Sequence, residues 1–149
     1  MDLQKYEYST NDNYLEFEFD SEGPKGKTRK VIQYTPYNSN GVTYFSLSFG
    51  NLDPTTGKID TLIVTNNNDR EKTLATVAAT VLKFTQRFPD MMVYAIGSTS
   101  ARTRLYQMGI SAYWNEIDSL LYVYGYQENK GWKPFRKDVN YQAFLIKRK

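Results

Sequence analysis

Apolar and polar residues alternate over much of the first half of the chain. Residues 15–20 read Leu-Glu-Phe-Glu-Phe-Asp, and a period of two is typical of a strand with one buried face. Residues 29–35 and 42–49 are also predicted strands, and the turn sequence at 53–57 leads into a fourth at about 58–65. The short connections between these segments predict an antiparallel meander of about four strands.

The spacing of apolar residues changes to three and four after residue 70. This spacing predicts an amphipathic helix of about twenty residues, with Asn68 or Asp69 as its N-cap and Pro89 at its end. Its apolar stripe consists of Leu74, Val77, Val81, Phe84 and Phe88. Residues 91–96 then form a predicted short strand, and residues 98–109 a second helix that ends at a glycine.

The last third of the chain predicts two further strands, at 119–126 and 141–147, around a polar stretch at 127–140. We therefore expect a single α+β domain over residues 1–149, with a twisted, mostly antiparallel sheet and two main helices. The order is a meander followed by helix, strand, helix and strand. The unit at 58–96 predicts a right-handed crossover between parallel strands.

Such a crossover places the loops at 65–70 and 97–100 at one carboxyl edge of the sheet, where ligands of open sheets bind. Each loop begins a helix, whose first N–H groups and partial positive charge favour an anion. The candidate ligand contacts are Asn67, Arg70, Ser98, Thr99, Arg102 and Arg104. Serine and threonine also cap helices without any ligand, so simple capping is the alternative.

The two arginines of the second helix occupy different positions around its axis. At about 100° per residue, three apolar side chains share one face, which is predicted to pack on the sheet. That face consists of Ala101, Leu105 and Met108. Arg102 and Arg104 flank it, and Arg102 is the preferred ligand contact because it lies in the first turn. The alternative is a structural ion pair with Asp60 or Glu116.

The composition excludes several kinds of chemistry. The chain has no cysteine and no histidine, which removes disulfides, thiol nucleophiles, the Ser-His-Asp triad and the usual zinc sites. No metal site is expected, and any catalysis must use tyrosine, carboxylates, lysine, arginine, backbone groups or the substrate itself. The sequence does not decide whether the protein is an enzyme.

Charge is unevenly distributed although the net charge is only +3. Residues 1–22 carry seven acidic groups and one lysine, whereas residues 130–149 carry seven basic groups and one aspartate. The two ends could pair in the fold, or the basic end could meet an acidic partner; solvated charged faces are the alternative. The low net charge argues against nucleic acid, for which Trp132, Phe135 and Tyr141 in the basic end are the candidate residues.

The sequence shows no run of apolar residues long enough to cross a membrane, and its acidic first residues without an apolar stretch lead us to expect no secretory leader. We therefore expect a cytoplasmic protein with no membrane partner. Its oligomeric state is left open.

Residues 42–126 resemble the later part of GNAT-type N-acetyltransferases. The similar elements are Ser98-Thr99-Ser100-Ala101-Arg102, Leu105-Tyr106 and Gly109-Ile110 after a strand. The resemblance implies that Tyr106 is a catalytic general acid that protonates the thiolate of coenzyme A. The family's pyrophosphate loop contains glycines, whereas residues 70–75 contain none, and side chains there would obstruct a pyrophosphate. The cofactor is therefore left unknown.

The segment Gly97–Tyr106 is also similar to a family of bacterial proteins of about this length with no assigned function. That resemblance covers nearly the whole chain and implies a bacterial, intracellular setting. Two functions remain open. The first is binding of a phosphate-bearing small molecule at the two helix starts; the second is a non-catalytic protein-interaction module, such as a toxin–antitoxin or phage-defence component.

Overall fold

The computed structural model describes residues 4–61 and 67–149. Within those ranges the chain forms nine strands and three helices. The elements are β1 (Ser9–Thr10), β2 (Glu16–Gly23), β3 (Gly26–Ser39), β4 (Val42–Leu52), β5 (Ile59–Asp60), α1 (Arg70–Arg87), β6 (Met92–Ala95), α2 (Ser100–Ala112), α3 (Trp114–Leu120), β7 (Leu121–Gln127), β8 (Gly131–Pro134) and β9 (Ala143–Arg148).

The strands form one open, mixed sheet in the order β1-β2-β3-β4-β6-β9-β7-β8, with β5 added to β4. The pairing is antiparallel except between β4 and β6. The predicted fold class, an α+β arrangement with a strand meander and a mostly antiparallel sheet, is therefore confirmed. None of the helices in the described ranges is both long enough and apolar enough to cross a bilayer.

The predicted partner of β6 in the parallel pair is wrong. Residues 58–61, the described part of the predicted strand at 58–65, include β5, which pairs antiparallel with β4 at residues 51–52; residues 62–65 lie outside the described ranges. β4 itself pairs in parallel with β6 at residues 44–47. Because β4 is eleven residues long, one edge of it pairs with β6 and with β5 at different positions along the strand.

Helix α1 packs through the stripe that the sequence predicts. Val77, Val81 and Phe84 are buried, and Asp69 is the N-cap. The Phe84 ring stacks on the Tyr34 ring of β3 with 4.3 Å between centroids. Burying a side chain of this size contributes about 1.5–3 kcal/mol to folding, so this stripe fixes the helix on the sheet.

The predicted packing face of α2 is wrong. Its buried residues are Arg102, Thr103, Tyr106, Gly109 and Ile110, whereas Ala101 and Met108 are exposed and Leu105 is half-buried.

Close approaches on two sides accompany this orientation of α2, and only the one at Gly97 requires a glycine. A Cβ atom on Gly97 would lie 2.4 Å from the backbone nitrogen of Thr103, and one on Gly109 would lie 3.5 Å from Leu74 of α1. The loop before α2 and the helix α1 therefore both approach the face that carries Arg102 and Gly109. The helix also continues past Gly109 to Ala112.

The sequence did not predict α3 or β8. The short helix α3 contributes the buried Ile117, and β8 forms a hairpin with β7 inside the polar stretch. Helices α1, α2 and α3 enclose, with the sheet, an apolar cavity of about 60 Å³.

Candidate functional site

A buried lysine and a buried arginine lie against the same phenylalanine ring. Lys30 is 6% and Arg102 7% exposed to solvent. The Lys30 Nζ atom lies 5.9 Å, and the Arg102 Cζ atom 5.1 Å, from the centroid of the Phe49 ring. The two cations therefore share one aromatic side chain. We call Lys30, Phe49, Asn51 and Arg102 the basic cluster.

Strand register and the position of α2 bring the basic cluster together. Lys30 on β3 is the register partner of Asn51 on β4, and its ammonium group donates a hydrogen bond to Asn51 Oδ1 at 2.5 Å. Arg102 comes from the first turn of α2, and its Nη2 atom donates to the carbonyl of Thr61 at 3.2 Å. The cluster thus lies beyond the carboxyl end of β6, where α2 begins.

The charged form of Lys30 is disfavoured in the basic cluster. Burial, assisted by the positive charge of Arg102, lowers the pKa of Lys30 from 10.5 to about 8, and Asp69 acts in the opposite direction. Asp60 on β5 is the register partner of Asn51, so a carboxylate also belongs to this region. A negative charge close to the two cations reduces the repulsion between them.

Asp69 links the start of α1 to the same environment. Its side chain makes no capping hydrogen bond to α1. Instead, its Oδ2 atom accepts hydrogen bonds from the hydroxyls of Tyr6 at 2.6 Å and Ser21 at 2.5 Å. Burial and the hydrogen bond to Asp69 raise the pKa of Tyr6. Lys30 therefore experiences charges at the starts of both helices, from Asp69 and from Arg102.

Three of the predicted contacts lie around the start of α2. Ser98 Oγ donates to the carbonyl of Thr61 at 2.9 Å, the same carbonyl that Arg102 contacts. Thr99 is the N-cap, and its hydroxyl oxygen accepts from the backbone N–H of Arg102 at 3.1 Å. Both hydroxyl residues are exposed, so the rim of the basic cluster is polar and accessible.

The other predicted contacts lie elsewhere. Arg70 and Arg104 are exposed on α1 and α2. Asn67 is buried, and its side chain holds the hairpin between β2 and β3: Oδ1 accepts from the N–H of Lys25 at 2.8 Å, and Nδ2 donates to the carbonyl of Gly26 at 3.0 Å. Asn67 therefore has an observed structural role.

Tyr106, the catalytic residue implied by the acetyltransferase resemblance, is buried and lines the apolar cavity together with Leu47 and Ile110. Burial raises its pKa to about 12, although the charge of Arg102 acts to lower it. Its hydroxyl is therefore protonated at neutral pH and is a weak acid.

Sequence reasoning missed Lys30, Phe49 and Asn51. The sequence does indicate Lys30, because it lies with Ile32 and Tyr34 on the face of β3 that points to the core. A lysine in the apolar register of a strand indicates a buried cation. Phe49 and Asn51 lie on the face of β4 that points towards the core, but their proximity to Arg102 depends on the tertiary fold.

Fold and site together define an α+β domain with an open mixed sheet and a buried basic cluster at a helix start. The chain belongs to the family of unknown function DUF6934, which matches residues 2–149. No curated protein and no solved structure matches the chain, and the resemblance to acetyltransferases finds no support. Among residues 4–61 and 67–149, no group of three or more acidic side chains could hold a metal ion.

Proposed function

We propose that the protein binds a phosphate-bearing small molecule at the basic cluster and the adjoining start of α2. Arg102 and Lys30 supply the positive charge, and Ser98 and Thr99 supply hydroxyl groups at the rim. The observation that carries the proposal is the placement of two buried cations on the one ring of Phe49.

Three physical arguments support an anion over a neutral ligand. A phosphate would raise the pKa of Lys30 towards its ordinary value, because it favours the charged ammonium. The start of α2 adds N–H groups and the positive end of the helix dipole, which together favour a phosphate. Arginine also presents a planar fork that suits phosphate oxygens.

The experiment is a calorimetric titration of the full chain with inorganic phosphate, pyrophosphate, nucleotides and coenzyme A. A ligand at about 100 times its dissociation constant should also raise the free energy of unfolding by about 2.7 kcal/mol. Absence of heat and of any thermal shift at millimolar concentrations of all these ligands would refute the proposal.

Matched variants locate the binding. Arg102→Gln should abolish phosphate binding, whereas Arg104→Gln, which removes an exposed charge from the same helix, should leave it unchanged. Gly97→Ala gives an independent perturbation, because its Cβ atom would lie 2.6 Å from the Cβ atom of Arg102 and must displace the first turn of α2. Equal binding by the Arg102 and Arg104 variants would place the ligand elsewhere.

A further inference from the structure

The sheet face opposite the helices is rich in exposed aromatic residues. Along β7, Leu121 and Val123 are buried beneath the helices, whereas Tyr122 and Tyr124 point outwards and are 50% and 40% exposed. On β6, Ala95 likewise lines the apolar cavity, so its neighbour Tyr94 belongs to the outer face. We call this surface the aromatic face; it comprises Tyr37, Tyr94, Tyr122, Tyr124, Tyr126 and Trp132.

Rings of the aromatic face contact one another across the sheet. The Tyr37 and Tyr94 centroids are 6.4 Å apart, those of Tyr94 and Trp132 are 6.2 Å apart, and those of Trp132 and Tyr126 are 5.3 Å apart. Trp132, from the hairpin strand β8, therefore reaches over towards β6. These contacts hold the rings in place, so a planar ligand meets a preformed surface.

Positive charge lies beside these rings. Residues 121–149, which form β7, β8 and β9, contain seven basic and two acidic residues. Lys147 is the register partner of Tyr122, so it projects from the same face. The Lys149 Nζ atom lies 5.4 Å from the centroid of the Tyr122 ring, although Lys149 also forms an ion pair with Asp118.

We infer that the aromatic face binds single-stranded nucleic acid. Exposed rings offer stacking surfaces for unpaired bases, and the neighbouring lysines offer charge to phosphates. Outward tyrosines on β7 recur every second residue, about 6.8 Å apart, so successive rings can each receive a base. A duplex cannot use these rings because its bases are already stacked and paired.

The residues that support this activity differ from those that the sequence pattern indicates. Phe135 and Tyr141 are both buried at 6% exposure and contribute to the core, so Trp132 alone among the three aromatic candidates of the basic end can offer a ring surface. The alternating tyrosines of β7, together with Tyr37 and Tyr94, provide the remaining rings. The net charge of the chain is modest, but the segment that carries most of these rings is basic.

The test is fluorescence anisotropy of the full chain with labelled single strands of about twenty nucleotides, oligo(dT) and oligo(rU), and with a duplex of equal length. We expect the single strands to bind more tightly than the duplex. Their affinity should fall with salt, with a log–log slope of about −0.7 for each phosphate neutralised. Failure of either single strand to bind at low salt would overturn the inference.

Ring substitutions test the stacking itself. Tyr124→Ala and Trp132→Ala should each weaken binding roughly five-fold or more, whereas Tyr124→Trp should retain binding because it keeps a stacking surface. Met108→Ala removes an exposed apolar side chain from α2 and should have no effect. Circular dichroism and thermal unfolding establish that each variant is folded. Equal binding by Tyr124→Ala and the unaltered protein would overturn the inference.

Two further measurements distinguish a nucleic-acid surface from a dimer interface and from binding at the basic cluster. Sedimentation that shows a dimer of the unaltered chain and a monomer of Tyr124→Ala would assign the face to a second copy and overturn the inference. Arg102→Gln should bind oligonucleotides normally, because the basic cluster lies on the other face of the sheet. Loss of oligonucleotide binding in that variant would place the nucleic acid at the basic cluster instead.

Discussion

The lowered pKa of Lys30 makes protein stability depend on pH in a way that Lys30→Met should remove. The pKa of Lys30 is about 8 in the folded protein, against an ordinary value of 10.5. Between these values the unfolded chain binds more protons than the folded one. The free energy of unfolding therefore rises with pH over this interval, whereas a methionine does not titrate.

The magnitude follows from the two pKa values. Their difference corresponds to about 3 kcal/mol at 1.36 kcal/mol for each pKa unit, and solvent screening reduces this to roughly 1–2 kcal/mol. Burial is the main cause of the lowered pKa; Arg102 on α2 also disfavours the charged lysine, and Asp69 before α1 favours it.

Urea unfolding from about pH 7 to about pH 10 measures this effect. The unaltered protein should gain roughly 1–2 kcal/mol relative to Lys30→Met as the pH rises, because titration of the other groups is common to both. Lys137→Met, at an exposed position, should show no such relative change. A difference between the unaltered protein and Lys30→Met that is constant with pH would refute the assignment of a charged, buried Lys30.

Three further predictions concern the packing of the fold. Gly125→Ala should lower the free energy of unfolding by about 1–3 kcal/mol, because its Cβ atom would lie 2.2 Å from the buried Tyr141 ring; unchanged urea unfolding would contradict this close packing. Gly109→Ala should raise stability by up to about 1 kcal/mol, since its Cβ atom has ordinary contacts and glycine is unfavourable inside a helix; a loss of stability in thermal unfolding would contradict it. Tyr34→Phe should lower the free energy of unfolding by about 0.5–1.5 kcal/mol. Thr80→Val should lower it more, because it leaves the buried Tyr34 hydroxyl, 3.0 Å from Thr80 Oγ1, without this partner. The reverse order in urea unfolding would contradict the assigned hydrogen bond.

Local patterns predicted the elements whose side chains face water on one side and the core on the other. The alternation at 15–20 predicted β2, and the stripe that includes Val77 and Phe84 predicted α1. Each of these patterns depends only on which side chains face the core and which face solvent. The order of apolar and polar residues in the sequence therefore shows it directly. The two-residue strand β1 and the seven-residue helix α3 are too short to show a period.

Tertiary contacts decided the features that the sequence did not predict. At Gly97 the chain approaches the first turn of α2 so closely that a Cβ atom would lie 2.4 Å from the Thr103 nitrogen. This tertiary contact accompanies the inward orientation of Arg102, which is buried although it is charged. The motif around Ser98 and Thr99 marks the start of α2, and the capping that the sequence offers as the alternative is observed at Thr99. Lys30 comes from a strand about seventy residues away in sequence, and only the fold places it beside Arg102.

The basic cluster and the aromatic face lie on opposite sides of one sheet. Along β4, Phe49 projects to the helix side, as the buried Leu47 does, and Ser48 projects to the other. A ligand on one side therefore does not contact a ligand on the other. Without direct contact, one ligand can change the affinity for the other only if it favours one of two conformations of the protein. Because the sheet separates the two sites, we expect phosphate and oligonucleotide to bind independently. Oligonucleotide titrations with and without saturating pyrophosphate should thus agree within about two-fold at constant ionic strength; mutual exclusion would mean that both ligands use one site.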